Sequence, residues 1–112
     1  MPQLILHKDG AYNLYTTVAD GPCYDAALTL DDLKEVLRMD GGQRAIDGLP
    51  ARLERAHKTG CSSIDGMTLL ECIAGNRAGP GESEVPADEF IIRWLTLPAP
   101  DAAEAQGEFA SA

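Results

Sequence analysis

Leu4-Ile5-Leu6 precede Asp9-Gly10, and Tyr12-Asn13-Leu14-Tyr15-Thr16-Thr17-Val18 follow it, so two β-rich runs flank a two-residue turn signal. A type I′ turn needs positive φ at both central residues, a conformation that Asp-Gly tolerates. Residues 3–18 are therefore predicted to form a hairpin. Strand alternation puts Tyr12, Leu14, Thr16 and Val18 on one face and Asn13, Tyr15 and Thr17 on the other. Asp20-Gly21-Pro22 breaks the run, and Cys23 to Leu28 is expected to add a third strand.

The period then changes. Leu30, Leu33, Val36 and Leu37 make a helical stripe, with Thr29 as N-cap, Leu28 and Leu33 as a hydrophobic staple, and Asp31 and Asp32 at the positive end of the dipole. Asp40-Gly41-Gly42 ends that helix, and a short turn near Gln43–Asp47 follows. A second helix is predicted from about Pro50 to Thr59, with Leu53 and Ala56 facing inward and Gly60 stopping it. Periodicity alone does not separate helix from strand over 67–74; Gly75-Asn76 behind and Ser63 or Asp65 ahead favour a short helix. Residues 75–85, with Gly75, Gly79, Pro80 and Gly81, read as a mobile loop. Pro86 opens a last helix that buries Phe90, Ile91, Trp94 and Leu95.

The expected fold is α+β: an N-terminal antiparallel β-hairpin or three-stranded meander packed with three to four short α-helices on one face. A bare hairpin is marginal in water, so Leu4, Leu6, Leu14 and Val18 need cover from Leu33, Leu37, Leu53, Phe90 and Trp94. Residues 1–97 are expected to form a single globular domain. Residues 98–112, rich in Ala, Pro and Glu, read as a flexible acidic tail with too little apolar surface to order itself.

Composition narrows the setting. Among 112 residues, 45% are hydrophobic and 24% charged, which is globular rather than disordered. No apolar run approaches the ~20 residues of a membrane helix, and the N-terminal residues lack the basic stretch and cleavage site of a secretory signal. Cys23, Cys61 and Cys72 match neither a disulfide framework nor a zinc pattern, so a reducing cytoplasm is expected. The net charge of −9, from 18 acids against 9 bases, disfavours direct nucleic-acid binding, which needs clustered Lys and Arg.

Candidate chemistry is sparse. His57-Lys58-Thr59-Gly60-Cys61 brings an imidazole, an ammonium and a thiol close in sequence, the ingredients of an activated cysteine. His57 and Lys58 equally suit a helix C-terminus, and no third group is recognisable as an orienting partner for His57. Lys58-Thr59-Gly60 matches a β-lactamase element, but the Ser-x-x-Lys element is missing and the chain is too short for that fold. No phosphate-binding Gly-rich loop is present, and His7 and His57 are the only histidines, so neither a cofactor nor a metal is expected.

Charge is unevenly placed. Between Asp20 and Asp47 lie seven acids against three bases; from Arg52 to Arg77 the balance reverses, with Arg52, Arg55, Lys58 and Arg77 against three acids. An acidic end and a mildly basic patch follow. Asp25, Asp31, Asp32, Glu35 and Asp40 are the candidate partner-binding residues, because helical spacing puts several of them opposite the Leu30–Leu33–Leu37 stripe.

In size, acidity and lack of a catalytic motif, the chain resembles the small phage-encoded inhibitors of bacterial defence, the anti-CRISPR proteins among them. The resemblance lies in composition alone and transfers no residue. It implies a non-enzymatic protein that inhibits or modulates a larger complex handling nucleic acid, by offering acidic surface to a basic channel or subunit. Two other readings stay open: a small cysteine-dependent enzyme centred on Cys61 and His57, and a homodimeric assembly protein.

Overall fold

The computed structural model describes residues 3–97; the expectation for the tail lies outside them. Strand β1 (Gln3–Lys8) turns through Asp9 and Gly10, at φ 49° and 83°, into β2 (Ala11–Thr16). Both residues of the turn carry the positive φ that the type I′ geometry demands. The register pairs Leu4 with Tyr15, Ile5 with Leu14, Leu6 with Asn13 and His7 with Tyr12. A third strand is present but short: β3 is Gly21–Pro22, antiparallel to β2. The run expected to extend it, Cys23 to Leu28, instead leaves the sheet and returns for a single bridge between Leu28 and Tyr12.

Among the described residues, four α-helices complete the α+β fold. Helix α1 (Leu30–Asp47) starts on a capping box, with Asp32 N–H donating to Thr29 Oγ1 and Thr29 N–H to the Asp32 carboxylate. It bends at Gly42, whose φ of 65° and ψ of −155° are not helical. The break expected at Gly41-Gly42 is thus a kink, with the short stretch before Asp47 carrying on as helix. Helix α2 (Leu49–Thr59) ends at Gly60, whose φ of 91° gives a left-handed cap. A Cβ there would lie 2.7 Å from that of Leu69, so close packing as well as φ demands glycine. Helix α3 (Leu69–Ile73) is capped by Thr68, paired with Glu71, rather than by Ser63 or Asp65. Helix α4 (Ala87–Trp94) closes the described chain.

The helices cover both faces of the sheet, not one. Ile5, Tyr12 and Leu14 meet Leu33 and Leu37 of α1 and Leu49 and Ala56 of α2. On the opposite face, Leu6 and Tyr15 meet Cys72 and Ile73 of α3 and Phe90 and Trp94 of α4. Leu4 and Leu6 therefore belong to a different core from Leu14, a division that alternation along each strand requires. Val18, expected inside, is 74% exposed because β2 ends at Thr16 and the chain turns outward.

The β1 edge of the sheet is not bare. His7 N–H donates to Gly60 O, Ser62 N–H to Ile5 O and Ile5 N–H to Ser62 Oγ, so residues 60–62 seal the outer side of β1. Residues 75–85 are better tied than a mobile loop. Buried Asn76 donates to the carbonyls of Ile73 and Val85 and accepts from the amides of Ala78 and Val85.

Candidate functional site

Asp25, Asp31, Asp32, Glu35 and Asp40 are all exposed. Burial of Leu33 and Leu37 fixes the orientation of α1, and the 3.6-residue period then sets Asp32 and Glu35 beside Met39, Asp40 beside Val36, and Asp31 across the helix from Asp40, next to Arg38. Lys34 and Arg38 fall on the other flank. Asp32, Glu35 and Asp40 thus share their side with Val36 of the predicted stripe and with Met39, an apolar residue that no sequence argument had marked.

The five acids are not equivalent. Asp32 is committed to the capping box, and Glu35 accepts from Arg38 Nη1 at 2.7 Å. Asp25, Asp31 and Asp40 make no hydrogen bond or ion pair with any described residue, which leaves three carboxylates available to a partner. Asp40 also borders a hollow of about 380 Å³ formed with Tyr24, Val36 and Met39. Met39 is 77% exposed. Asp40 is close enough to Cys23 to push that thiol upward, behind the larger effect of burial. The hollow is thus lined by Tyr24, Val36 and Met39 with one carboxylate, that of Asp40, at its border. Met39 alternating with charged neighbours on a helix is an ordinary sequence pattern. Only its exposure beside Tyr24 makes it notable.

The alternative thiol site comes apart. Cys61 is fully buried on the α3–α4 side of the sheet, where its thiol pairs with that of Cys72. That hydrogen bond, followed by burial, pushes the Cys72 thiol up, and it pulls the Cys61 thiol down against the effect of burial. His57 is exposed on α2 and turns instead to the sheet: its Nε2 is 2.6 Å from the Tyr12 hydroxyl, and its ring meets that of His7 edge-on at 4.5 Å. Base and nucleophile thus have different partners. Among the described residues no group of three or more His, Cys, Asp or Glu side chains could hold a metal ion, and no helix is long and apolar enough to cross a membrane.

Comparison with family models, with curated proteins and with solved structures returns no match for this chain.

Proposed function

We propose that the chain is a non-enzymatic binding protein that inhibits or modulates a larger complex, using the acidic side of α1 against a basic surface of a nucleic-acid-handling subunit. The observation that carries this reading is the hollow of Tyr24, Val36, Met39 and Asp40, whose one carboxylate, that of Asp40, forms no ion pair with any described cation. A basic partner would supply the missing counter-charges and cover Met39. Acidity also keeps the chain itself off nucleic acid. The resemblance in size and acidity to anti-CRISPR proteins agrees with this mode of action, and such a protein would work in the cytoplasm.

The test uses the full chain as bait in bacterial lysate beside a triple variant, Asp25→Asn, Asp31→Asn and Asp40→Asn. The proposal expects a nucleic-acid-binding protein retained by the first and lost from the second. Purified, that protein should lose nucleic-acid binding or cleavage activity when the wild-type chain is added. Equal retention by both baits, or a captured partner whose activity is unchanged, would overturn it.

A further inference from the structure

On the face of the molecule formed by α2 and the 60–64 segment, Arg52 and Arg55 sit one helical turn apart and line a cavity of about 350 Å³ with Ser62, Ser63, Leu4 and Ile64. Each guanidinium spends one nitrogen on a main-chain carbonyl: Arg52 Nη2 donates to Gln3 O at 3.1 Å and Arg55 Nε to Ser62 O at 2.8 Å. These bonds fix the two cations in place without neutralising them. Among the described residues neither has a carboxylate within ion-pair distance; Lys34, Arg44 and Lys58 share that state, but only Arg52 and Arg55 of these line this cavity. Asp40 borders the adjoining hollow with Arg44 and Arg52 but is paired with neither. Burial, and then the charge of Arg55, lowers the pKa of Arg52, so the pair is held together at an electrostatic cost.

The serines add a second, separate observation. Ser62 is 3% and Ser63 8% exposed. Ser62 Oγ accepts from Ile5 N–H and Ser63 Oγ from Asp65 N–H, so each oxygen's acceptor role is in use. Neither hydroxyl hydrogen has an acceptor among the described residues. Buried hydroxyls normally donate as well as accept. Two cations without counter-ions and two buried donors without acceptors thus line the same cavity. The hydroxyls call for an acceptor and the guanidiniums for negative charge, and one anion with several oxygens supplies both.

From this arrangement we infer that the cavity of Arg52, Arg55, Ser62 and Ser63 is a binding site for a phosphate monoester. One guanidinium fork satisfies the two oxygens of a carboxylate. Two forks and two hydroxyls offer more donors and more charge than a carboxylate accepts, whereas a phosphate monoester brings three terminal oxygens and up to two charges. Leu4 and the 85%-exposed Ile64 flank the cavity and would contact the apolar body that carries the phosphate. A single compact anion fits better than a nucleic-acid backbone. The net charge of −9 repels a long polyanion, while a local group feels chiefly the nearby arginines, since salt screens charges beyond ~8 Å. This site is separate from the acidic side of α1, and it stands or falls without that reading.

The test is a titration of the full chain with inorganic phosphate at constant ionic strength, followed by amide and arginine Nε–H NMR resonances. Saturable shifts confined to Arg52, Arg55 and residues 62–64 are expected. Acetate should act at least about tenfold more weakly, since it lacks the third oxygen and second charge. Arg52→Lys with Arg55→Lys keeps both charges but removes the forks, and should weaken phosphate binding by a similar factor. Ser63→Ala, which leaves both arginines in place, should weaken it less. Absence of saturable shifts in the wild-type chain would overturn the assignment whatever the variants do. So would equal affinity for acetate, or undiminished binding in the Lys/Lys variant with its amide spectrum otherwise preserved.

Discussion

The hydroxyl of Tyr12 lies 2.6 Å from Nε2 of His57, a hydrogen bond that joins the second strand to helix α2 across 45 residues of chain. His7 completes the cluster: its Nε2 accepts the Gly10 amide at 3.1 Å, and its ring contacts both Tyr12 and His57. The hairpin turn and the C-terminal half of α2 are thereby held by the two histidines of the chain.

That cluster makes stability depend on pH. Burial, then the charge of His57, and last that of Lys8 lower the pKa of His7, with Asp9 opposing. The unfolded chain therefore takes up a proton at about pH 6.5, before the folded chain does. Stability contributed by His7 is complete above that pH, declines as pH falls from there to the depressed folded value, and then levels off. Urea midpoints between pH 7.5 and pH 5 should fall for the wild type. In His7→Gln, whose side-chain oxygen can still accept the Gly10 amide, that part of the slope should be absent.

Asn13 is the polar linchpin of the α3–α4 side. It is fully buried, and its amide nitrogen donates to the carbonyls of Trp94, Tyr24 and Ala26 while its oxygen accepts from Leu14 and Tyr24. Asn13→Asp keeps the shape and replaces the donor with an oxygen facing three carbonyls. The expected loss is about 3 kcal/mol or more at neutral pH, read by chemical denaturation, because buried groups lose partners and a charge is left unpaired. Recovery of much of that loss at acid pH, where the carboxyl can donate, would identify the missing donor as the cause.

Trp94 packs on Phe90 at a ring separation of 4.9 Å, with the Arg93 guanidinium 4.4 Å from its ring centre. Only 7% exposed, it should fluoresce at short wavelength and resist quenching. Trp94→Ala should cost roughly 3–5 kcal/mol, as expected for emptying the volume of a buried aromatic.

How much of this could be read from the residues depends on the range of the interaction concerned. The hairpin, the Thr29 cap and the Gly60 stop rest on local backbone preferences, so Asp9-Gly10, Thr29 and Gly60 announce them directly. Helices on both faces of the sheet were less accessible. Leu6 and Leu14 are equally apolar, and nothing local says which helix each will meet. The 23–28 segment carries strand-like residues, yet the carbonyls of Tyr24 and Ala26 go to the Asn13 side chain rather than into a ladder. On the surface, the acids of α1 were legible as a charge pattern. Their division into committed Asp32 and Glu35 and free Asp31 and Asp40, like the free state of Asp25 ahead of the helix, depends on side-chain geometry. So does the unpaired state of Arg52 and Arg55, since counter-ions can come from anywhere in the chain.

The thiols should react in an order set by burial. Cys23 is half-buried, whereas Cys61 and Cys72 are buried. Iodoacetamide at neutral pH, followed by mass spectrometry, should therefore modify Cys23 first. Cys61 and Cys72 should be labelled only as fast as the protein opens, and urea should accelerate both together. Rapid labelling of Cys61 in the native protein would revive the cysteine-enzyme reading.

The acids of α1 should separate into those that hold the helix and those that hold a partner. Asp32→Ala removes one half of the Thr29 capping box and a charge at the positive end of the dipole, and should cost about 1 kcal/mol of stability. The combined change of Asp25, Asp31 and Asp40 to Asn removes three exposed carboxylates without internal partners, so the melting temperature should fall little, with Asp31 contributing a small dipole effect. Binding should show the reverse order. Charges at the border of an interface act mainly on the association rate, through attraction that salt screens. For the wild type, the association rate with its partner should fall as ionic strength rises. The triple variant should start slower at low salt and respond much less, because the attraction being screened is already reduced. Asp32→Ala, with the three free carboxylates intact, should keep most of the wild-type slope. Stopped-flow or surface-based kinetics across a salt series provide the measurement. Equal slopes for the wild type and the triple variant would remove the acidic side of α1 from the mechanism. A slope that survived there but disappeared in Arg52→Gln with Arg55→Gln would move the contact to α2.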